Sequence, residues 1–404
     1  MRRSGRDRGI RPTPTVLCAG AVALLIMGDS FLYSALPVSA PDLHLSLFQV
    51  SVLLSANRWV RLASNTVVAL LVPRLPPRWF FVGAAVLGMA STAAFVRQPA
   101  FGAMVLARIV WGLAWSVFRQ AAYLAVWQEP RERQGRQLGY WWGIVRVGSG
   151  VGVLLGGIVL DLHGFTAAFW VLAGLATLGV GLAAVIRWPA EAVPFEDDVA
   201  FGLRRTWLTV SRNAPLRWLL FLGAGTRLAI TVSIALMSLY LQTRMTLSEG
   251  WTGIGFSAGL VLSAHWMSLL LAGPVVGWLA DRIGRLRTLM LVAGTTAVSL
   301  ACAAFAHGLW AVAVGVVVML GFSGLRMAVE VAMADRTRAL PDAHLIMGGY
   351  ASLDDLAGAV GPILSLTWFQ PSLIPPLFSG CAAILLLLSI GYARSSRERP
   401  AANP

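Results

Sequence analysis

In the stretch LLSANRWVRLASNTVVALL, residues 53–71, Arg58 and Arg61 interrupt an apolar run long enough to cross a bilayer. Comparable runs hold Arg108, Arg119, Arg146, Arg227, Arg326 and His265, together with the acids Asp29, Glu330, Asp354 and Asp355. An ionisable side chain inside a span is costly unless paired or hydrated, so such residues line water-filled paths, proton relays or ligand sites. The chemistry they offer is charge recognition and proton transfer. No nucleophile triad or phosphate-binding glycine loop accompanies them, so an enzyme is not expected. His265 and Met267 lack further soft ligands at helical spacing, so neither a metal nor a cofactor is implied.

Spacing sorts these residues. Arg58 and Arg61, three apart, share a helix face, and Asn57, Arg61 and Asn65 extend it at four-residue steps. A single polar stripe on a spanning helix points inward. Asp29, on the preceding run, is the nearest acid to that stripe, and a pair with Arg58 or Arg61 is expected. Arg326 and Glu330 are four apart and neutralise each other on one helix. Asp29, Glu330, Asp354 and Asp355 are therefore the candidates for proton coupling or charge pairing. Asn57, Arg58, Trp59, Arg61, Arg146, Arg227 and His265 are the candidates for substrate contact, with Trp111, Trp115, Trp141 and Trp142 as an aromatic wall.

The elements that must position them follow from composition. Of 404 residues 57% are hydrophobic and only 12% charged, against roughly a quarter charged in soluble domains. Twelve runs between 14–37 and 373–393 reach the ~20 residues a spanning helix needs. The fold class is thus an all-α integral membrane protein. The polar segment 188–215 divides it into a six-span half at 1–187 and another at 216–404. The net charge of +14 comes from arginine alone, since there is no lysine. It falls in short clusters between spans and not along one soluble face, which argues against a nucleic-acid partner. Arginine favours alternate connections: twenty-three lie in one set and two, Arg97 and Arg244, in the other. Basic loops stay inside, so both termini and 188–215 are expected in the cytoplasm of a bacterium whose inner membrane holds the chain. The N-terminal MRRSGRDRGIR and Val38-Ser-Ala40 imitate a signal peptide, but the apolar run exceeds the usual 7–15 residues and an uncleaved first span is expected. Cys18, Cys302 and Cys381 all fall in apolar runs and are expected to be free, buried thiols.

GWLADRIGRLR, residues 277–287, joins spans eight and nine and resembles the loop signature of the major facilitator superfamily. In that signature Gly277 permits close packing, Gly284 makes the turn, Asp281 meets a helix N-terminus or an arginine, and Arg282, Arg285 and Arg287 face the anionic leaflet. The equivalent first-half loop, Ala69 to Arg78, is degenerate, with Pro73 in place of the aspartate. The two copies are 208 residues apart, about half the chain, as in two repeated halves. The same offset places Arg146 opposite Asp354.

Shorter motifs extend the resemblance. Gly28 to Pro37 is similar to the span-one stretch of drug–proton antiporters in that family, Arg108 to Gly112 is similar to its span-four motif, and Gly148, Gly152, Gly156 and Gly157 follow its antiporter glycine pattern with Val153 replacing proline. Small residues at such spacing let helices approach closely. The resemblance implies twelve spans in two pseudo-symmetric bundles, with spans two and eleven, and five and eight, meeting across the middle. It implies that Arg58 or Arg61 reaches Asp354 or Asp355, that Arg146 approaches His265, and that Gly277, Asp281, Arg282, Gly284 and Arg285 gate the cycle. The expected function is proton-coupled efflux of a small organic solute by a monomer using alternating access. Uptake or exchange of an organic anion through the pore arginines, and a non-transporting sensor on the same fold, are the alternatives.

Overall fold

In a computed structural model the described residues are 13–71, 76–98, 100–127, 129–186, 188, 210–245, 253–338, 340 and 343–397. They form helices joined by short turns, and no strand occurs among them. The first four helices are α1 (Pro14–Ser39), α2 (Leu47–Leu71), α3 (Pro77–Ala94) and α4 (Phe101–Trp127). The run Arg131–Val185 breaks at Gly164, where φ is 82° and ψ 176°, a conformation open to glycine and costly for other residues. Its two parts are α5 (131–163) and α6 (165–185). The second half comprises α7 (Ala214–Arg244), α8 (Ile254–Ile283), α9 (Arg285–Phe305), α10 (Leu309–Thr337), α11 (Ala343–Leu366) and α12 (Ile374–Arg397). The N-terminal arginine cluster, Val72 to Leu75 of the degenerate loop copy and residues 189–209 of the central segment lie outside the described residues.

Local sequence explains several boundaries. Pro14 and Pro77 open α1 and α3, and Pro215 lies in the first turn of α7, where a missing N–H costs nothing. Asn213 caps α7 by accepting from the Leu216 amide at 3.2 Å, satisfying one of the orphan donors every helix start leaves. Gly284, at φ 88°, separates α8 from α9.

Among the described residues, nine helices are long and apolar enough to cross a membrane, counting the broken Arg131–Val185 run once. The two outside that criterion are α2 and α11, the helices that carry Arg58 and Arg61, and Asp354 and Asp355. Their polar stripes lower the mean hydropathy without shortening the helix. The remaining surface fits lipid: Trp170, Leu178, Val298 and Leu387 are exposed, and every helical backbone bond is made within its own segment.

Packing follows a two-fold pattern. Within the halves, α1 packs on α5 and α7 on α11, while α2 packs on α4 and α8 on α10. Between the halves, α2 meets α11, α5 meets α8, and α1 meets α7. Exchanging the halves converts each contact into another member of the set. Helices α1 and α7 are well enclosed, about three quarters of their most apolar stretches being buried, against 28% for α12. The glycine pattern sits on this frame. A side chain at Gly148, Gly152 or Gly156 would run into Ala23, Met27 or Phe31 of α1, and one at Gly157 would strike the Gly255 carbonyl of α8. These positions let α5 lie flush against both halves.

Candidate functional site

Antiparallel alternation gives the bundle a terminal end, where α1 starts and α12 stops, and a far end. At mid-depth between the halves is a cavity of about 120 Å³ whose walls include Asp29, Asn57, Arg58, Arg61, Arg227 and Asp354. A second cavity of about 440 Å³ shares Trp142, Arg146 and Arg326 with it. It continues along the terminal-end halves of α5 and α10 through Gly139, Gly143 and Glu330.

The charges pair in a definite order. Arg61 reaches from α2 to Asp355 of α11 at 2.6 Å, and Arg119 of α4 lies 4.0 Å from the same carboxylate. Arg227 and Arg326 approach Asp354 at 3.4 and 3.7 Å, and Arg326 also holds Glu330 at 2.9 Å. The cross-half reach of Arg61 and the Arg326–Glu330 pair match the sequence expectation.

Asp29 corrects it. Its partner is neither Arg58 nor Arg61 but Arg108 of α4, whose Nη1 donates to the carboxylate. Arg108 is fully buried and also donates from Nε to the Leu53 carbonyl of α2 at 2.9 Å. Asn57 adds a bond to Asp29 at 3.2 Å. Gly112, one turn beyond Arg108, is pressed against the Asn57 backbone, so the Arg108–Gly112 spacing brings α4 onto α2 while aiming a guanidinium at α1. Arg58 instead crosses to Gly358 of α11, where a Cβ would lie 2.5 Å from its Nη1. The Arg58 and Arg108 guanidiniums flank the Tyr33 ring at 5.9 and 5.8 Å.

Other candidates are redistributed. Arg146 lies over the Trp142 and Trp266 rings at 5.2 and 4.9 Å. His265 does not bond to it: the ring faces α10, with Nδ1 3.1 Å from the Ser323 hydroxyl and 3.4 Å from the Met319 carbonyl. Trp59 is 44% exposed and outside both cavities, because it lies across α2 from the inward stripe. Trp266, which sequence reasoning passed over, lines the central cavity. Cys18 is buried as expected, but Cys302 is exposed and Cys381 half-buried, since an apolar helix in lipid has no need to bury its outer face.

The loop signature also differs. Gly277 has open space where a Cβ would go, so it packs against no neighbour. Asp281 is exposed and bonds neither a helix terminus nor an arginine among the described residues. Arg282 lies 4.3 Å from the Trp278 ring centroid, and Arg285 pairs with Asp335 at the end of α10. The arginine cluster thus draws its acid from α10. At the far end, Asp161 of α5 accepts from the Gly255 and Phe256 amides of α8 at 2.9 and 2.6 Å. A carboxylate on the positive end of a helix is a favourable placement, and here it joins the halves. Its position near the end of span five was the only sequence signal. Asp161 thus joins the halves at the far end, and among the described residues no side-chain bond links the loop signature to the first half.

The Major Facilitator Superfamily profile matches residues 18–264 and 253–404. The tetracenomycin C resistance and export protein of Streptomyces glaucescens is 29% identical over 47% of this chain and 36% of its own length. The synaptic vesicular amine transporter of Homo sapiens is 25% identical over 83% of this chain and 67% of its own. The chloramphenicol resistance protein of Streptomyces lividans is 26% identical over 72% and 79%. The match thus spans about a third of the first relative's length and two thirds of the second's. Among solved structures, the nucleoside transporter NupG superposes with a TM-score of 0.75 at 12% identity, covering 95% of this chain and 99% of that one, a likeness of fold. Twelve helices in two pseudo-symmetric halves, a charged cavity between them and a profile matched from residue 18 to the last place the chain in a family: it is an integral membrane protein of the Major Facilitator Superfamily.

Proposed function

We propose that the chain is a secondary active transporter that exports a small organic solute in exchange for protons by alternating access. The reading divides the chain at 188–215 into two moving halves, puts both termini in the cytoplasm and takes the working unit as a monomer. The observation that carries it is the polar cavity between the halves, latched at the far end and continued toward the terminal end. With basic loops inside, that opening faces the cytoplasm, where an exporter loads. Relatives named for export and resistance support the direction. Asp29, held by Arg108 and Asn57 beside the cavity, is the proton-carrying candidate in the first half. Asp354 and Asp355 are the candidates in the second.

Reconstitution tests the reading. Purified protein in liposomes enclosing a pH-sensitive dye, with a pH gradient imposed, should show solute-dependent proton movement. A chain that binds solutes yet moves neither solute nor protons is a sensor on a transporter fold, and the proposal fails.

A further inference from the structure

We infer that the central cavity is built for an organic anion with an aromatic body, and that Arg58, Arg227 and Arg146 receive its charged group. This deepens the transporter reading and rests on it for the use of the site, though not for its chemistry. Six arginines and three aspartates line the central cavity. When the ion pairs are assigned, Arg108 takes Asp29, Arg61 takes Asp355, Arg227 takes Asp354 and Arg326 takes Glu330. Arg58 and Arg146 are left with no carboxylate within ion-pair distance among the described residues, and Arg119 has only a distant share of Asp355.

The deficit is local and directional. Arg58 is 6% exposed, and its Nε and Nη1 are buried without a hydrogen-bond partner; the Nε of Arg227, 9% exposed, faces Asp354 at 3.4 Å without forming a hydrogen bond. A Cβ on Gly358 would lie 2.5 Å from the Arg58 Nη1 and 3.2 Å from the Arg227 Nε, so donors from α2 and α7 converge on one point of α11. Two guanidiniums drawn together in a low-dielectric interior, one of them with unused donors and no carboxylate partner, are held at a cost that an anion between them removes. That point lies at the seam between the halves, which must part and close as solute passes. Arg146 and Arg326 extend the positive field into the larger cavity, where Glu330 is the acid of the wall, so an anion is steered inward and a cation repelled. Trp111, Trp115, Trp142 and Trp266 line the central cavity and offer ring faces and edges to a planar apolar body. A cationic amine, by contrast, would find each aspartate already held by an arginine.

A charge series tests this in detergent, without transport. Benzoate, phenylacetate and cinnamate are titrated against benzylamine, phenethylamine and cinnamylamine, with thermal stabilisation and calorimetry as readouts. The carboxylates should stabilise the protein and the amines should not. Arg58→Gln and Arg146→Gln should each weaken carboxylate binding about ten- to hundredfold, the factor for losing one charge-assisted hydrogen bond, and Arg58→Lys should restore part of it. Amines binding as tightly as carboxylates, no stabilisation by any carboxylate, or unchanged carboxylate affinity in both glutamine variants would each overturn the proposal. The wild-type series decides it even if a variant fails to fold. Carboxylate binding without proton-linked flux would leave this inference standing and remove the transport reading.

Discussion

Among the described residues, Asp29 and Arg108 form the most enclosed ion pair in the first half. Removing one partner of a buried pair strands the other and costs about 3–5 kcal/mol in soluble proteins. Asp29→Asn is therefore expected to lower thermal stability, and it removes the one carboxylate near mid-depth in the first half. The double variant Asp29→Asn, Arg108→Gln separates the two effects. Melting measurements should show stability largely recovered in the double variant. Flux driven by a pH gradient should remain lost in both, while solute exchange without a gradient survives. Recovery of gradient-driven flux together with stability would make Asp29 a structural staple and move the coupling site to Asp354 or Asp355.

Among the elements, the joint between α5 and α8 holds the two halves together at the far end. Asp161 contributes two charge-assisted hydrogen bonds and a favourable dipole contact across it, with the dipole contribution about 0.3–1 kcal/mol and up to ~2 in partly buried geometry. The Gly157–Gly255 approach sets how near the two helices come. An equilibrium between two conformations separated by a few kcal/mol moves visibly under changes of that size. Asp161→Ala is expected to shift the protein toward a form open at the far end. Spin labels at His163 and Ile254, in a background lacking the exposed Cys302 and the other two cysteines, would report it as a growing long-distance population. An unchanged distance distribution would mean that glycine packing alone holds that end shut. Arg61 and Asp355 add a latch at mid-depth on the opposite seam, between α2 and α11.

For the whole molecule, the proposed orientation rests on the arginine distribution, and orientation decides which compartment the cavity meets. With the terminal end in the cytoplasm, a cysteine at Gln98, in the short turn between α3 and α4, should react with an impermeant thiol reagent added outside intact cells. A cysteine at Arg338, beyond α10, should react only after permeabilisation. The reverse pattern would invert the topology, and with it the side from which this conformation loads.

Residue chemistry and spacing were enough to foresee twelve spans in two halves and the inward stripe of α2, while the cross-half pair of α2 with α11 followed from the family resemblance. Hydropathy and helical period are properties of the chain itself, and in lipid they leave few alternatives to a helix bundle. The Arg326–Glu330 pair was legible for the same reason, because both residues lie on one turn. The choice of Arg108 over Arg58 for Asp29 was not, since it depends on how α4 is rotated against α1 and on Gly112 letting α2 approach. The orphaned donors at Gly358, the Asp161 cap on α8 and the Trp266 wall likewise arise where helices distant in sequence cross. Spacing along one helix says which side chains share a face, but only packing says what that face meets.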